Sequence, residues 1–274
     1  MTPPGERLVT NTLGRTGLVV GRLGVACSYG APQAAFEEAF DRGVNYFYWG
    51  SRRTAAMARA IRHLVSRGHR ERLVIVLQSY SRSRRLLEHF LHRGLRRLGL
   101  DAADVLLLGW HNRPPAPRLV DQALALKARG RFRFLALSGH HRPLFASLAQ
   151  DSPFDIFHLR YNAAHRGAET EVFPKLPHAQ PPGVVTYTAT RWGALLDPRR
   201  MPAGEAPLRG ADCYRFALSH PAVHVCMTGP RSREEMQEAL LALDLGPLRD
   251  SEMERVRRLG DHLHRTRRRF LFNL

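Results

Sequence analysis

Eight short apolar segments recur along the 274-residue chain, separated by segments of helical period and polar turns. The apolar segments read GVACSY, VNYFYW, LVIVLQ, DVLLLGW, FRFLALSG, FDIFHLRY, VVTYTA and VHVCMTG. Alternation of strands and helices predicts parallel strands joined by crossover helices. Eight such units match a (β/α)8 TIM barrel of about 250 residues. A doubly wound sheet is the main alternative, but no Gly-x-Gly-x-x-Gly pattern follows the first strand.

Two further segments flank the barrel pattern. Residues 8–21 form two alternating apolar runs around a Gly-Arg-Thr-Gly turn, which predicts an N-terminal β-hairpin. The barrel is predicted over about 22–245 and an amphipathic C-terminal helix over about 250–270. No Pro/Gly-rich linker or change of composition divides the chain, so we predict one domain over residues 1–274.

The formal charge of +18 raises the question of a nucleic-acid partner. Lys127 and Lys175 are the only lysines, so 40 of the 42 basic residues are arginine. Arginine is spread through the chain like alanine and leucine, which indicates codon bias rather than a basic patch. The densest basic run, RTRRRF at 265–270, is typical of a solvated helix face. We therefore expect no specific nucleic-acid partner.

The three cysteines, Cys27, Cys213 and Cys226, are too widely spaced for a metal site or a redox pair. Reduced thiols of this kind favour a cytoplasmic protein. The N-terminus lacks an apolar signal region, and no apolar run approaches the roughly 20 residues that span a bilayer. We expect neither a metal nor a membrane partner, and the sequence leaves the oligomeric state open.

Seven segments follow one another along nearly the whole chain in a recognisable order and spacing: LGRTGLVVGRLG, AFDRGVNYF, LRRLGLDAADVLLLGWH, LALKARGRFRFLALSG, RYNAAHRGAETEVFPKL, VVTYTATRWGALL and MTGPRSREEMQEAL. Together they resemble the aldo-keto reductases. The resemblance implies a (β/α)8 barrel with an N-terminal hairpin, reduction of carbonyls, and NADP(H) bound in an extended form without a Rossmann motif.

The resemblance also implies a catalytic set: an aspartate after strand two, a tyrosine five residues later, a lysine after strand three and a histidine after strand four. In this chain those positions hold Tyr48, Arg53, Gln78 and Gly109. The family's tyrosine is the general acid, its pKa is lowered by the lysine–aspartate pair, and its histidine orients the carbonyl. Both lysines of this chain fall in helical segments, so we expect none in the site. Gly109 is expected to leave room beside strand four.

The second strand, NYFYWGSRR, therefore carries the largest departures. Because side chains alternate along a strand, Tyr48 should face the barrel mouth and Trp49 should pack outwards against a helix. We predict that Tyr48 is the proton donor or a ligand-orienting hydroxyl, with its pKa lowered by Arg53. His111, two residues past the family's histidine position, should point to the same side of its strand. Tyr80 is a second candidate acid.

The nicotinamide end of the site is better preserved. The resemblance implies that Tyr187 stacks on the nicotinamide, although a tyrosine of the barrel core is equally consistent with the local sequence. Thr188 follows it in the same segment. Ser138 matches the serine that binds the carboxamide, and His158 stands where a carboxamide-binding glutamine is usual.

The adenosine end of the cofactor would lie at the segment TGPRSREEMQEAL. Gly229 brings backbone close to a helix N-terminus, a position that attracts phosphate. The resemblance implies that Arg231 and Ser232 contact the 2′-phosphate, that Glu235 replaces a glutamine, and that Glu238 faces the adenine. Ser232 and Glu235 also fit a helix capping box, which leaves only Arg231 without a structural explanation.

These features predict an NADP(H)-dependent oxidoreductase of aldo-keto reductase type with a non-standard active site and weakened cofactor binding. Its substrate is an unidentified carbonyl or related small molecule. Two alternatives stay open. One is a barrel enzyme that does not reduce its substrate, such as a dehydratase, cyclase or isomerase. The other is a non-catalytic regulatory protein that senses NADP.

Overall fold

The computed structural model describes residues 9–50 and 53–271, with side chains described as far as Thr266. Leu8 at the predicted start of the hairpin, Arg52 after the second strand, and the side chains of 267–270 in the basic run lie outside the described residues. The strands are β1 Thr10–Thr12, β2 Val19–Gly21, β3 Leu23–Ala26, β4 Tyr46–Trp49, β5 Val74–Ser79, β6 Ala103–Leu108, β7 Phe132–Gly139, β8 Ile156–Arg160, β9 Gly183–Tyr187 and β10 Val225–Thr228. The helices are α1 Gln33–Asp41, α2 Ala55–Ser66, α3 Arg84–Leu98, α4 Pro117–Ala128, α5 Arg142–Ser147, α6 Ala168–Glu171, α7 Gly210–Leu218, α8 Arg233–Leu245 and α9 Asp250–Leu271.

Strands β3 to β10 form a closed barrel in the order β10-β3-β4-β5-β6-β7-β8-β9, and every neighbouring pair is parallel. The predicted eight-stranded (β/α)8 barrel is confirmed. Its crossovers are uneven, because α5 has six residues and α6 only four. The chain after β8 therefore runs mostly as loop, and that side of the barrel mouth is less covered by helices.

Two apolar layers show that the barrel strands are buried on both faces. Side chains such as Val76, Val105 and Val185 fill the barrel interior. Their strand neighbours pack in a second layer between the strands and the surrounding helices, as Ile75 and Leu106 do. This explains why the strands read as nearly continuous apolar runs rather than as alternating ones.

The N-terminal hairpin closes the amino end of the barrel. Strands β1 and β2 pair antiparallel, and Leu13 and Leu18 beside them join the interior cluster. The turn requires glycine, since Gly14 has φ +49° and a Cβ there would lie 2.4 Å from the carbonyl oxygen of Pro181. A backbone bond of 2.8 Å from Arg15 to the same oxygen holds the turn on the chain before β9. The predicted hairpin is confirmed, and the carboxyl end is left as the open end.

The C-terminal helix α9 is tied to the barrel through a buried arginine. Arg215 in α7 is only 4% exposed. Its guanidinium donates to the carbonyl oxygens of Gly246 and Pro247 at 2.8 and 3.0 Å, and to Glu252 in α9 at 2.9 Å. One cation thus links α7, the chain after α8, and α9.

None of the helices within the described residues combines the length and the apolar content needed to cross a membrane.

We expect Arg215→Met to destabilise the fold by about 2–4 kcal/mol. The change keeps side-chain bulk but leaves two carbonyl oxygens and a carboxylate without their donor. Urea unfolding measures the effect. Arg199→Met is the matched control: Arg199 also pairs with a carboxylate, but its side chain is 88% exposed, so little change is expected. Equal losses in the two variants would contradict this role of Arg215.

Candidate active site

Four tyrosines meet at the carboxyl end of the barrel, and we call them the four-tyrosine cluster: Tyr29 after β3, Tyr48 in β4, Tyr80 after β5 and Tyr187 at the end of β9. The phenol of Tyr48 interacts with that of Tyr80. Tyr80 also interacts electrostatically with Tyr29 and Tyr187. Tyr80 is 53% exposed whereas Tyr48 is largely buried, so Tyr80 is the member of the pair that faces the open mouth.

The predicted orientation of strand β4 is observed. Tyr48 packs against the barrel interior with Tyr46. Trp49 packs in the outer layer, where its Nε1 donates to the carbonyl oxygen of Thr54 at 3.2 Å and its ring lies over Gly94 of α3. Alternation along a short strand was sufficient to predict this arrangement.

The space expected beside Gly109 is filled. A Cβ at Gly109 would lie 2.4 Å from the side-chain nitrogen of Gln78 and 2.6 Å from the ring of Tyr80. The space beside Gly109 is therefore taken by two neighbours from the β5 end, and the ring of Tyr80 is held against the end of β6.

Arg53 does not act on Tyr48 as expected. Its Nη1 donates to the carbonyl oxygen of Tyr29 at 2.9 Å, and its side chain is exposed. Within the described residues, no hydrogen bond or ion pair joins Arg53 to Tyr48. Burial, together with the Tyr80 phenol, raises the pKa of Tyr48 well above its usual value. The predicted lowering of the Tyr48 pKa is wrong, and this phenol stays protonated.

His111 lies outside the four-tyrosine cluster. It lines a separate cleft of about 340 Å³ with Arg82, Trp110 and the 112–116 segment. Trp110 has φ +55°, a left-handed backbone that breaks the alternation assumed for His111. His111 is 5% exposed, and burial beside Arg82 lowers its pKa to about 4. The expectation that His111 lies beside Tyr48 is therefore wrong.

His158 is placed inside the barrel below the mouth. Its Nε2 lies 2.8 Å from the hydroxyl of Tyr46, and its ring centroid lies 6.3 Å from that of Tyr48. The residue is 2% exposed, and burial lowers its pKa to about 3. The ring is thus a neutral hydrogen-bonding group under Tyr48. Its predicted contact with a carboxamide remains a prediction.

The predicted nicotinamide residues cluster around the ends of β7 and β9. The hydroxyl of Tyr187 donates to the carbonyl oxygen of Gly139 at 2.7 Å. Its ring centroid lies 5.9 Å from that of His140, which stacks in turn on Trp110 at 5.8 Å. Burial raises the pKa of Tyr187, so it too is a neutral phenol.

Ser138 and Thr188 hold the backbone on either side of these rings. The Oγ of Ser138 accepts from the backbone N–H of Trp110 at 3.0 Å. Thr188 has φ +61°, and its hydroxyl donates to the carbonyl oxygen of Tyr187 at 2.6 Å. Each of these hydroxyls can still form a further hydrogen bond, because a hydroxyl can donate one hydrogen bond and accept two.

At the predicted adenosine end, Ser232 is the N-cap of α8 and accepts from the backbone N–H of Glu235 at 3.3 Å. Arg231 pairs with Glu235 at 2.6 Å, and its side chain is 77% exposed. Glu235 also accepts from the backbone N–H of Arg231 at 2.8 Å. The Ser232 half of the capping box is therefore observed, whereas the carboxylate of Glu235 binds Arg231 instead of the backbone N–H of Ser232. Arg231 thus has a structural partner as well.

Two more of the predicted contacts have structural partners. A Cβ on Gly229 would lie 2.4 Å from the ring of Tyr29, so packing of this tyrosine alone requires a glycine there. Glu238 accepts from Arg209 at 3.0 Å and from the backbone N–H of Ala211 at 3.3 Å. These bonds fix the start of α7 against α8.

A larger cleft opens beside the cluster, and it is lined by residues that the sequence analysis did not select. It encloses about 1150 Å³ between the ends of β8 and β9, the loop after β9, and α9. Arg160 ends β8 on this cleft, and Trp192 lies in the loop. Strand alternation could have identified Arg160, because it lies two residues past the inward-facing His158.

We expect His158→Gln to reduce the acid sensitivity of the fold. The unfolded chain protonates this ring below about pH 6.5, whereas the folded protein does so only near a pKa of about 3. The stability conferred by the neutral ring is therefore complete above pH 6.5 and is lost as pH falls towards 3. Gln keeps a hydrogen bond to Tyr46 but does not titrate, so the slope of unfolding free energy against pH should fall by about 1.4 kcal/mol per pH unit.

Chemical denaturation at pH 7, 6, 5 and 4.5 measures this slope. His178→Gln, at an exposed position, is the control and should keep the slope of the unmodified protein. An unchanged slope in His158→Gln would show that the His158 ring is protonated in the folded state.

No family model matches the chain, and no curated protein matches it. Solved structures match in fold. The aldo-keto reductase AKR11C1 from Bacillus halodurans in its holo form superimposes with a TM-score of 0.74 at 18% identity, covering 92% of this chain and 96% of that chain. The apo form of the same protein gives a TM-score of 0.70 at the same identity and coverage. The chain therefore has the barrel fold of the aldo-keto reductases over 92% of its length.

Proposed function

We propose that the protein is an NADP(H)-dependent oxidoreductase that reduces a carbonyl through a pair of tyrosines. The observation that carries the proposal is the pairing of the Tyr48 and Tyr80 phenols at the barrel mouth, beside Tyr187. This pair occupies the region where the resemblance implies a proton donor. A barrel fold alone is compatible with many chemistries, so the side chains at the mouth decide which reaction the protein can catalyse.

Residues suited to hold NADP(H) are present at both ends of the proposed site. Tyr187 offers an aromatic ring at the mouth, and Ser138 offers a hydroxyl on the neighbouring wall. Arg231 and Ser232 stand at the N-terminus of α8, where backbone N–H groups favour phosphate. The Arg231–Glu235 pair is largely exposed and so contributes little, which lets a phosphate compete for the guanidinium. When bound, the cofactor would supply a hydride.

Tyr80 is suited to deliver the proton. The interaction between the two phenols contributes to the raised pKa of Tyr48, and in the proposed pairing the Tyr48 hydroxyl donates its hydrogen to Tyr80. The Tyr80 hydroxyl therefore keeps its own hydrogen for a carbonyl oxygen. As that oxygen gains negative charge, Tyr80 gives up its proton, and the bond from Tyr48 stabilises the phenolate that remains.

A tyrosine paired only with another tyrosine lacks the positive charge that a neighbouring lysine would supply to a developing phenolate. Lys127 lies in α4, where it pairs with Asp155 at 3.0 Å, and Lys175 follows α6. We therefore propose that turnover of model aldehydes is about 10²- to 10⁴-fold slower than in a reductase with the complete catalytic set.

A binding protein that senses NADP(H) is the second candidate, and one observation favours it. The pKa of Tyr48 is raised, and the pKa values of His158 and His111 are lowered to about 3 and about 4. General acid–base catalysts usually have pKa values near the working pH. NADPH binding without NADPH consumption on any carbonyl would favour this candidate.

We expect Tyr80→Phe to lower kcat/KM for an aldehyde by about 10²-fold, because it removes the proton donor. Tyr48→Phe should lower it by about tenfold through the loss of one hydrogen bond to the developing phenolate. The kcat/KM of each variant should not change between pH 6 and 9, because Tyr48 stays protonated and His158 stays neutral in that range. NADPH consumption at several pH values measures all three effects.

The matched control is Tyr214→Phe. Tyr214 is a buried tyrosine in α7 whose hydroxyl accepts from that of Thr228 at 2.9 Å, and it packs in the outer layer between strands and helices. Its loss should leave kcat/KM within about twofold of the unmodified protein. Activity that survives Tyr80→Phe unchanged would remove Tyr80 from the reaction.

We also expect NADPH to bind more tightly than NADH, and Arg231→Ala to weaken NADPH binding by about tenfold or more. A charge-assisted contact with the 2′-phosphate contributes about 1.5–3 kcal/mol, less what Arg231 loses by leaving Glu235. Arg233→Ala is the control on the same helix turn, since Arg233 is engaged with Glu38 at 2.6 Å. Titration by fluorescence quenching measures the affinities, and equal affinity for NADH and NADPH would oppose the assignment.

A further inference from the structure

The large cleft at the mouth is strongly cationic in the part of the chain that the structure describes. Its lining contains four arginines, Arg160, Arg191, Arg199 and Arg200, and one carboxylate, Asp197. The two oxygens of Asp197 already bind Arg199 and Arg200 at 3.0 and 3.3 Å. The described lining thus carries more positive than negative charge, and an anion entering it would be attracted.

Arg160 brings this charge to the reacting end of the cleft. It is the last residue of β8, two positions beyond His158, so its side chain leaves the strand on the inner face. It is half-buried, and its charge acts on Tyr187, where it opposes the rise in pKa caused by burial. It also acts on His140, which stacks beside Tyr187. Arg160 is also the register partner of Tyr187 across β8 and β9, so its charge lies beside that member of the four-tyrosine cluster.

The other wall of the cleft presents an aromatic surface. Trp192 is 75% exposed, which is unusual for a tryptophan. Thr188, Arg191 and Trp192 have φ values of +61°, +51° and +57° in one short loop. For bulky residues such a conformation is strained, and such strain is concentrated at functional sites.

Two bonds hold the strained loop in place. The side-chain nitrogen of Asn162 donates to the carbonyl oxygen of Thr188 at 2.8 Å, and Arg191 donates to the carbonyl oxygen of Leu263 in α9 at 2.9 Å. The loop is thus anchored to the chain just after β8 and to α9. Trp192 is presented to the cleft rather than packed in the core.

We propose that this cleft binds an aromatic carbonyl compound that carries a carboxylate, with Arg160 holding the carboxylate and Trp192 contacting the ring. A guanidinium matches a carboxylate with two parallel hydrogen bonds, and an indole face suits a planar ring. Because Arg160 is next to Tyr187, the carboxylate would lie close to the carbonyl, as in a 2-oxo acid. That this ligand is a substrate rests on the proposed reductase function, whereas its binding does not.

The test compares benzoylformate with methyl benzoylformate, which has the same ring and carbonyl but no charge. Isothermal titration calorimetry on the full chain at fixed ionic strength gives both affinities. We expect the acid to bind at least about tenfold more tightly than the ester, because only the acid forms a charge-assisted pair. Arg160→Leu should weaken binding of the acid by about ten- to a hundredfold and leave the ester unchanged.

Two further variants keep the test decisive. Arg160→Lys keeps the charge but not the fork, so binding of the acid should be intermediate. Arg199→Leu removes an exposed arginine of the same cleft that is engaged with Asp197, and we expect less than about threefold change. A thermal melt of each variant confirms that it is folded. Equal affinity for acid and ester, or an Arg160→Leu variant with unchanged affinity for the acid, would overturn the proposal.

NADPH consumption measured in parallel separates this proposal from the proposed function. If the acid binds through Arg160 but no NADPH is consumed, the anion site stands and the reductase function fails. If NADPH is consumed equally with acid and ester, the reductase function stands and the proposed substrate class fails.

Discussion

Closure of the barrel is the constraint on which the rest of the structure depends. Every strand from β3 to β10 has two buried faces, one towards the interior and one towards the helices. The inward-facing side chain at the end of each strand therefore lies at the same small mouth, regardless of its residue type. Tyr48, Gln78, His158 and Tyr187 meet there from four strands. Since the hairpin closes the amino end, this mouth is the end from which a ligand can approach.

Burial then decides the charge state of the groups that meet. Water is scarce at these positions, so the charged form of each group is disfavoured unless a partner compensates for it. The pKa of Tyr48 is raised and that of His158 is lowered for this one reason. Tyr48 and Gln78 carry no charge at neutral pH and need no counter-charge, so neither leaves an unpaired charge inside the barrel.

The fold could be predicted from the sequence because its signal is repeated eight times and does not depend on any one residue. The direction of Tyr48 and Trp49 could be predicted for a related reason, since both lie within a regular strand. Arg53 and Trp110 have φ values of +51° and +55°, so the loops that carry Arg53 and His111 reverse direction where a regular strand would continue. The residues that contact Arg53 and His111 could therefore not be predicted from strand alternation.

The filled space at Gly109 could not be predicted either. A glycine indicates room only if no neighbouring side chain fills the space, and here Tyr80 and Gln78 fill it. Packing of this kind depends on the volumes of side chains from several neighbouring strands, and the sequence pattern of one strand does not contain that information. Arg160 was missed although strand alternation identifies it. The one-domain organisation and the roles of the cofactor residues stay predictions.

The near-absence of lysine has a consequence for how this mouth can be controlled. A guanidinium keeps its charge at every pH that a cell experiences. The phenols and imidazoles of known pKa shift beside it are held neutral over the same range. The electric field at the mouth therefore does not change with pH. Salt can screen it, because the Debye length is about 8 Å at physiological ionic strength. The affinity of such a site for an anion would therefore depend on ionic strength and not on pH.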